Sequence, residues 1–86
     1  MQATAARRAR ENPIRAIRRA LGMSRRDFGR LVRVDPSYLL DLEGGRFERF
    51  PEWFGERLRP LGIDPTPVAR EYEEWRREMQ AMFRGE

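Results

Sequence analysis

The 86-residue chain has no cysteine, no histidine and no lysine. The first absence excludes disulfides and thiol chemistry. The second removes the commonest metal ligand and the usual general base near neutral pH. The third leaves no side-chain amine for covalent catalysis. A catalytic site would have to rest on paired carboxylates, and the acids of "EYEEW" at 71–75 fall on helix positions expected to face solvent. A Gly-rich phosphate loop is missing as well. These absences point to a binding protein rather than an enzyme, with no cofactor. Long apolar runs are also missing, so no membrane span is expected. The opening "MQATAARRARE" is charged and lacks the apolar stretch of a secretory signal. A cytoplasmic protein is the expectation.

What the chain has in quantity is arginine, which supplies all 18 basic residues for a net charge of +4. Its distribution is uneven. Residues 1–49 hold 12 arginines and 6 acids, a net of +6, whereas residues 50–86 hold 6 arginines and 8 acids, a net of −2. A basic front and an acidic rear suit a polyanion partner for the front. The planar guanidinium donates bidentately to phosphate and guanine, which an ammonium does not. A GC-rich coding bias is the plainer account of most of the missing lysine.

Start and stop signals divide the chain into short helices, and no strand pattern or repeat interrupts them. Residues 1–11 lack apolar periodicity and read as a flexible basic arm. Asn12-Pro13 is an N-cap followed by first-turn proline, Ile14, Ile17 and Leu21 form a stripe, and Gly22 is a stop. Ser24 is a second cap, with Asp27 three residues on and Phe28, Leu31 and Val32 expected to face inward. Asp35-Pro36 opens a third helix that carries Leu39 and Leu42 inward and stops at Gly44-Gly45. Pro51 opens a fourth helix with Trp53, Phe54, Leu58 and Leu61, which Pro60 should end or kink near Arg59. After the turn "GIDPTP", Pro67 is expected to open a last helix. The fold expected is all-α with five helices: an arm at 1–11, a domain at 12–64 and a C-terminal amphipathic helix at 65–86.

The segment "IRRALGMSRRDFGRLVRVDPSYLLDLEGGR" resembles the Cro/phage-repressor type of helix-turn-helix, the xenobiotic-response-element family. The match runs without a gap from Ile17 to Gly45, and the likeness covers roughly residues 13–64. It implies a DNA-binding regulator, repressor or activator, of a bacterium, phage or other mobile element, acting near the nucleoid. Helix 35–43 would enter the major groove of double-stranded DNA. By that docking mode Pro36, Ser37, Leu40 and Asp41 face bases. Arg25, Arg26, Tyr38, Arg46 and Arg49 contact phosphates, helped by Arg30 and by the arm residues Arg7, Arg8 and Arg10. Arg18 and Glu43 match the family's pair linking the first helix to the end of the third. Asp35 is a cap and Glu43 turns inward, so of the acids only Asp41 faces DNA. It can accept from a cytosine amino group, while Leu40 can touch a thymine methyl.

Two departures stand out. Arg33 replaces the family's turn glycine, at a position that usually needs φ > 0 and costs a non-glycine residue on the order of 1 kcal/mol. Gly29 stands where alanine is usual. Two apolar features bear on partners, the first denser than a small helical core needs although most of it should be core. One is the aromatic run "FERFPEWF" (Phe47, Phe50, Trp53, Phe54). The other is Val68, Tyr72, Trp75, Met79 and Met82, spaced like a short coiled-coil seam. The second either packs on its own chain or joins two copies in a homodimer. The first keeps a second reading open, in which the fold is a protein-interaction module for RNA polymerase, a toxin or another regulator. A solvent-exposed Trp53 would favour it.

Overall fold

A computed structural model of the chain describes residues 11–83. Among them lie five α-helices and no strand: α1 Pro13–Ala20, α2 Arg25–Val32, α3 Pro36–Glu43, α4 Glu52–Glu56 and α5 Pro65–Phe83, with a 3-10 turn at Arg59–Leu61. The fold is therefore all-α, as the punctuation of the sequence implied. Residues 1–10 of the expected arm, with Arg7, Arg8 and Arg10, lie outside the described residues.

The helices begin and end for local reasons. Asn12 Oδ1 accepts from the Ile14 and Arg15 N–H groups at 2.8 and 3.1 Å. Ser24 Oγ accepts from the Asp27 N–H at 3.1 Å, and Asp35 Oδ1 from the Ser37 N–H at 2.8 Å. Each satisfies N–H groups that have no partner inside the helix. At the other ends Gly22 and Gly45 take φ of 69° and 76°. Those angles let the Met23 and Arg46 N–H groups reach back to the Arg18 and Asp41 carbonyls at 3.1 and 3.0 Å.

Several boundaries and faces differ from the expectation. The last helix starts at Pro65, not Pro67, because Asp64 caps it by accepting from the Thr66 N–H at 3.0 Å. A proline at 67 is still in the first turn, where its missing N–H costs nothing. Helix α4 stops at Glu56, and Pro60 sits inside the 3-10 turn instead of ending a longer helix. Leu21 and Leu31 are 47% and 44% exposed rather than inward. On α2 the buried set is Phe28, Gly29 and Val32. At about 100° per residue, Leu31 lies roughly 100° round from the middle of that face.

One core holds all five helices together. Ile14, Phe28, Leu39, Leu42, Phe54, Leu58 and Tyr72 are fully enclosed, with Val32, Val34, Phe50, Val68 and Trp75 nearly so. Burying each large apolar side chain contributes about 1.5–3 kcal/mol. Helix α5 packs against α1 and α4. Its Val68, Tyr72 and Trp75 belong to the chain's own core, so these three seam positions face inward rather than toward a second copy. Met79 is half-buried, and Met82 and Phe83 are exposed. The Tyr72 hydroxyl ties the long α3–α4 connection down, donating to the Phe47 carbonyl at 2.6 Å and accepting from its N–H at 3.3 Å.

Candidate nucleic-acid interface

The site is the surface of α3 and its flanks, and the α2–α3 turn sets its attitude. Arg33 holds φ 62° and ψ 50°, the left-handed conformation and the one positive φ on a non-glycine residue among the described residues. The tight reversal brings the Val34 N–H to the Gly29 carbonyl at 2.8 Å. A Cβ on Gly29 would meet the Val34 carbonyl oxygen at 2.5 Å, so α2 closes on the turn only because residue 29 has no side chain. Just past α4, Arg57 Nη1 donates to the Val32 and Arg33 carbonyls at 3.0 and 2.8 Å, satisfying the end of α2.

Leu39 and Leu42 bury the inner face of α3. Glu43 is buried with them, its side chain 3% exposed. Arg18 grips it in two places, Nε to Oε2 at 2.8 Å and Nη2 to Oε1 at 3.0 Å. Arg25 adds a third bond, Nε to Oε1 at 3.1 Å. The hydrogen bond to Glu43 raises the Arg18 pKa further above its already high ordinary value, outweighing the opposing effect of burial. Two guanidiniums on one carboxylate leave one positive charge in excess. Arg25, with its side chain 41% exposed, carries it toward the surface. The cluster orients α3 relative to α1 and α2; such a buried pair fixes geometry more than it adds net stability.

On the outer face Pro36, Ser37 and Leu40 are exposed and Asp41 is half-exposed. Asp41 is not alone there: Arg46 Nε stands 3.7 Å from its Oδ1. Arg26, Arg30, Arg46 and Arg49 are exposed. Asp35 is occupied as a cap, since the Ser37 hydroxyl donates to it at 2.6 Å as well as the Ser37 N–H. Those two bonds, the hydroxyl first, hold its carboxyl below the usual aspartate range.

Tyr38, assigned from the sequence to a phosphate, is half-buried in an aromatic cluster. Its ring stacks on Phe47 at 4.9 Å and leans on Trp53 at 5.0 Å. Burial pushes its phenol pKa up, partly opposed by a hydrogen bond with Trp53. Trp53 is 46% exposed, with the Arg57 guanidinium 5.4 Å from its ring centre. Phe50 and Phe54 of the same run are buried in the core, and Phe47 is half-buried.

Three residues that sequence reasoning did not assign to the site support it. Arg57 is one. Asn12 is another: besides capping α1, its Nδ2 donates to the Leu42 and Glu43 carbonyls at 3.1 and 3.2 Å. Arg76 of α5 is the third, its Nε donating to the Gly45 carbonyl at 2.8 Å while the Trp75 ring covers Gly45. The capping role of Asn12 was legible from Asn-Pro. Its second pair of bonds spans some 30 residues and left no local signal.

A family model described as a helix-turn-helix domain matches residues 14–54. That span takes in α1, α2, α3 and most of α4. No curated protein and no solved structure matches the chain. The matched residues have the helix, turn and helix arrangement that this description names, and α5 packs into the same core. No helix among the described residues is long and apolar enough to cross a membrane.

Proposed function

We propose that this chain is a sequence-specific DNA-binding transcriptional regulator of the Cro/phage-repressor kind, working by binding rather than by chemistry. One observation carries the reading. The helix after the turn turns Ser37, Leu40 and Asp41 outward, with exposed arginines of α2 and of the α3–α4 connection around them. In the major groove Ser37 can donate or accept, Leu40 can meet a thymine methyl and Asp41 can accept from cytosine N4. Arg25, Arg26, Arg30, Arg46 and Arg49 supply sequence-independent attraction to phosphates. Arg46 also offsets the Asp41 charge, which lowers the cost of bringing a carboxylate to a polyanion. A homodimer on a near-palindromic site suits this docking mode, and Met82 and Phe83 at the exposed end of α5 suit a contact between copies. Occupancy of a promoter in the cytoplasm, at the nucleoid, would block or recruit polymerase.

The test is selection from a randomised duplex library at two salt concentrations. Recovery of one site that persists at the higher salt supports the reading. Binding without enrichment that disappears at the higher salt leaves only phosphate attraction and overturns it.

The exposure of Trp53 favours a second reading, in which the Tyr38–Phe47–Trp53 surface docks a protein such as RNA polymerase, a toxin or another regulator. Iodide quenching with and without duplex separates the two. A partner-free Trp53 whose quenching is unchanged by a saturating duplex leaves that surface available to protein.

A further inference from the structure

We infer that Asn12 is a positioning residue for base reading: one side chain joins the start of α1 to the end of the reading helix α3. The inference rests on the DNA-binding proposal and adds to it the element that fixes the pitch of α3. Asn12 is 3% exposed, and every polar atom of its amide is used. The oxygen accepts two N–H bonds from the first turn of α1, at 2.8 and 3.1 Å. The nitrogen donates to two carbonyls of the last turn of α3, at 3.1 and 3.2 Å. The orientation of the amide is unambiguous, because a flip would set oxygen against two carbonyls and nitrogen against two N–H groups.

The last carbonyls of a helix need partners from outside it. Helix α3 has no basic residue in its last turn to serve them. The Gly44, Arg46 and Gly45 N–H groups serve the Leu40, Asp41 and Leu42 carbonyls locally; Asn12 adds a second bond at Leu42 and serves the Glu43 carbonyl, and Arg76 binds the Gly45 carbonyl from α5. The same turn holds Glu43, gripped by Arg18 of α1 and Arg25 of α2. The Glu43 cluster fixes where that end of α3 lies by long, flexible side chains. The Asn12 amide is short and joined to backbone at both ends, so it limits the tilt of α3 most directly. Leu40 and Asp41 lie within one turn of that clasp. A change of tilt moves them against base edges while leaving the exposed arginines close to the phosphates.

The effect therefore falls on discrimination more than on affinity for DNA in general. Asn12→Ser keeps a capping oxygen and loses both donors. Asn12→Asp keeps the cap and sets a carboxylate oxygen against the Leu42 and Glu43 carbonyls. Val68→Ala, a truncation of the core in α5, serves as the control for lost stability. The measurement is the ratio of affinities for the selected duplex and a scrambled one, at one salt and well below each melting temperature. The expected result is a ratio lowered on the order of tenfold for both Asn12 variants, the size of one good base contact, with the scrambled-duplex affinity and the Val68→Ala ratio unchanged. An unchanged ratio in Asn12→Ser, or an equal fall in Val68→Ala, overturns the inference. A wild-type chain that does not discriminate overturns instead the DNA reading on which it stands.

Discussion

Gly29 of α2 lies directly beneath the carbonyl of Val34, so close that a Cβ on residue 29 would be 2.5 Å from the Val34 oxygen. The contact is backbone to backbone and cannot be relieved by a side-chain rotation. Replacing a glycine inside a helix by alanine ordinarily stabilises by about 1 kcal/mol. Here the sign reverses: Gly29→Ala should destabilise by ~1–3 kcal/mol, the usual cost of forcing atoms into packed space. Urea unfolding of the two chains measures it, and a stabilised variant would mean that the turn relaxes freely.

Arg33 gives the opposite case. Its φ of 62° is left-handed, and its side chain is exposed. Glycine there removes strain of about 1–2 kcal/mol and returns part of it through the greater freedom of the unfolded chain, about 0.5–1 kcal/mol. Arg33→Gly should therefore stabilise by roughly 0.5–1 kcal/mol. The bond from Arg57 to the Arg33 carbonyl is to backbone and survives the change. A small rise in melting temperature is the expected outcome.

The Glu43 cluster should respond unequally to single and double changes. Glu43→Leu strands the Arg18 guanidinium, which is 13% exposed, without its anion. A loss of about 3 kcal/mol is expected, as for other buried pairs broken on one side. Arg18→Met together with Glu43→Leu should recover most of it, since both charges then leave together. A double variant as unstable as the single one would assign the cluster a net stabilising role.

Acid should weaken the start of α3. The Asp35 carboxyl titrates below the usual aspartate range because the Ser37 hydroxyl, and then the Ser37 N–H, bond its charged form. The unfolded chain therefore takes up this proton first as pH falls. The contribution of Asp35 is complete above its unfolded pKa and is lost as pH drops through the lower folded value. Asp35→Asn keeps a capping oxygen and removes that titration. Melting curves for both chains from about pH 6 to about pH 2 should converge at the acid end.

On DNA, the arginines and Asp41 should separate cleanly. Arg26→Ala, on an exposed side chain, should weaken binding to all duplexes and reduce the salt slope by about 1. Arg25 is a less clean probe, because its removal also loosens Glu43. Asp41→Ala should change the preference at one base pair with little effect on the slope. Unchanged preference would take Asp41 out of the reading set.

The sequence by itself determined the five helices and where the first three begin, because caps, first-turn prolines and stop glycines act within a few residues of where they stand. Asn12, Ser24, Asp35, Gly22 and Gly45 are all of that kind. It also determined which small apolar set forms the inner face of α3, since Leu39 and Leu42 sit one turn apart. Only the tertiary structure decided the rest. Leu31 and Leu21 look as apolar as Phe28 and Ile14, yet they are exposed, Leu31 because it lies roughly 100° round from the buried face of α2 and Leu21 because it stands past the last residue of α1. Trp53 and Phe54 are neighbours in sequence, and only Phe54 is covered. Val68, Tyr72 and Trp75 carry a spacing that suits two partners equally, and the choice fell to the chain's own core. Hydrogen bonds that span 24 to 31 residues, from Asn12, Arg57 and Arg76, follow from which helix ends meet in space. Local pattern encodes local hydrogen bonding and periodicity, whereas the attitude of α3 depends on groups that meet only when the whole core closes.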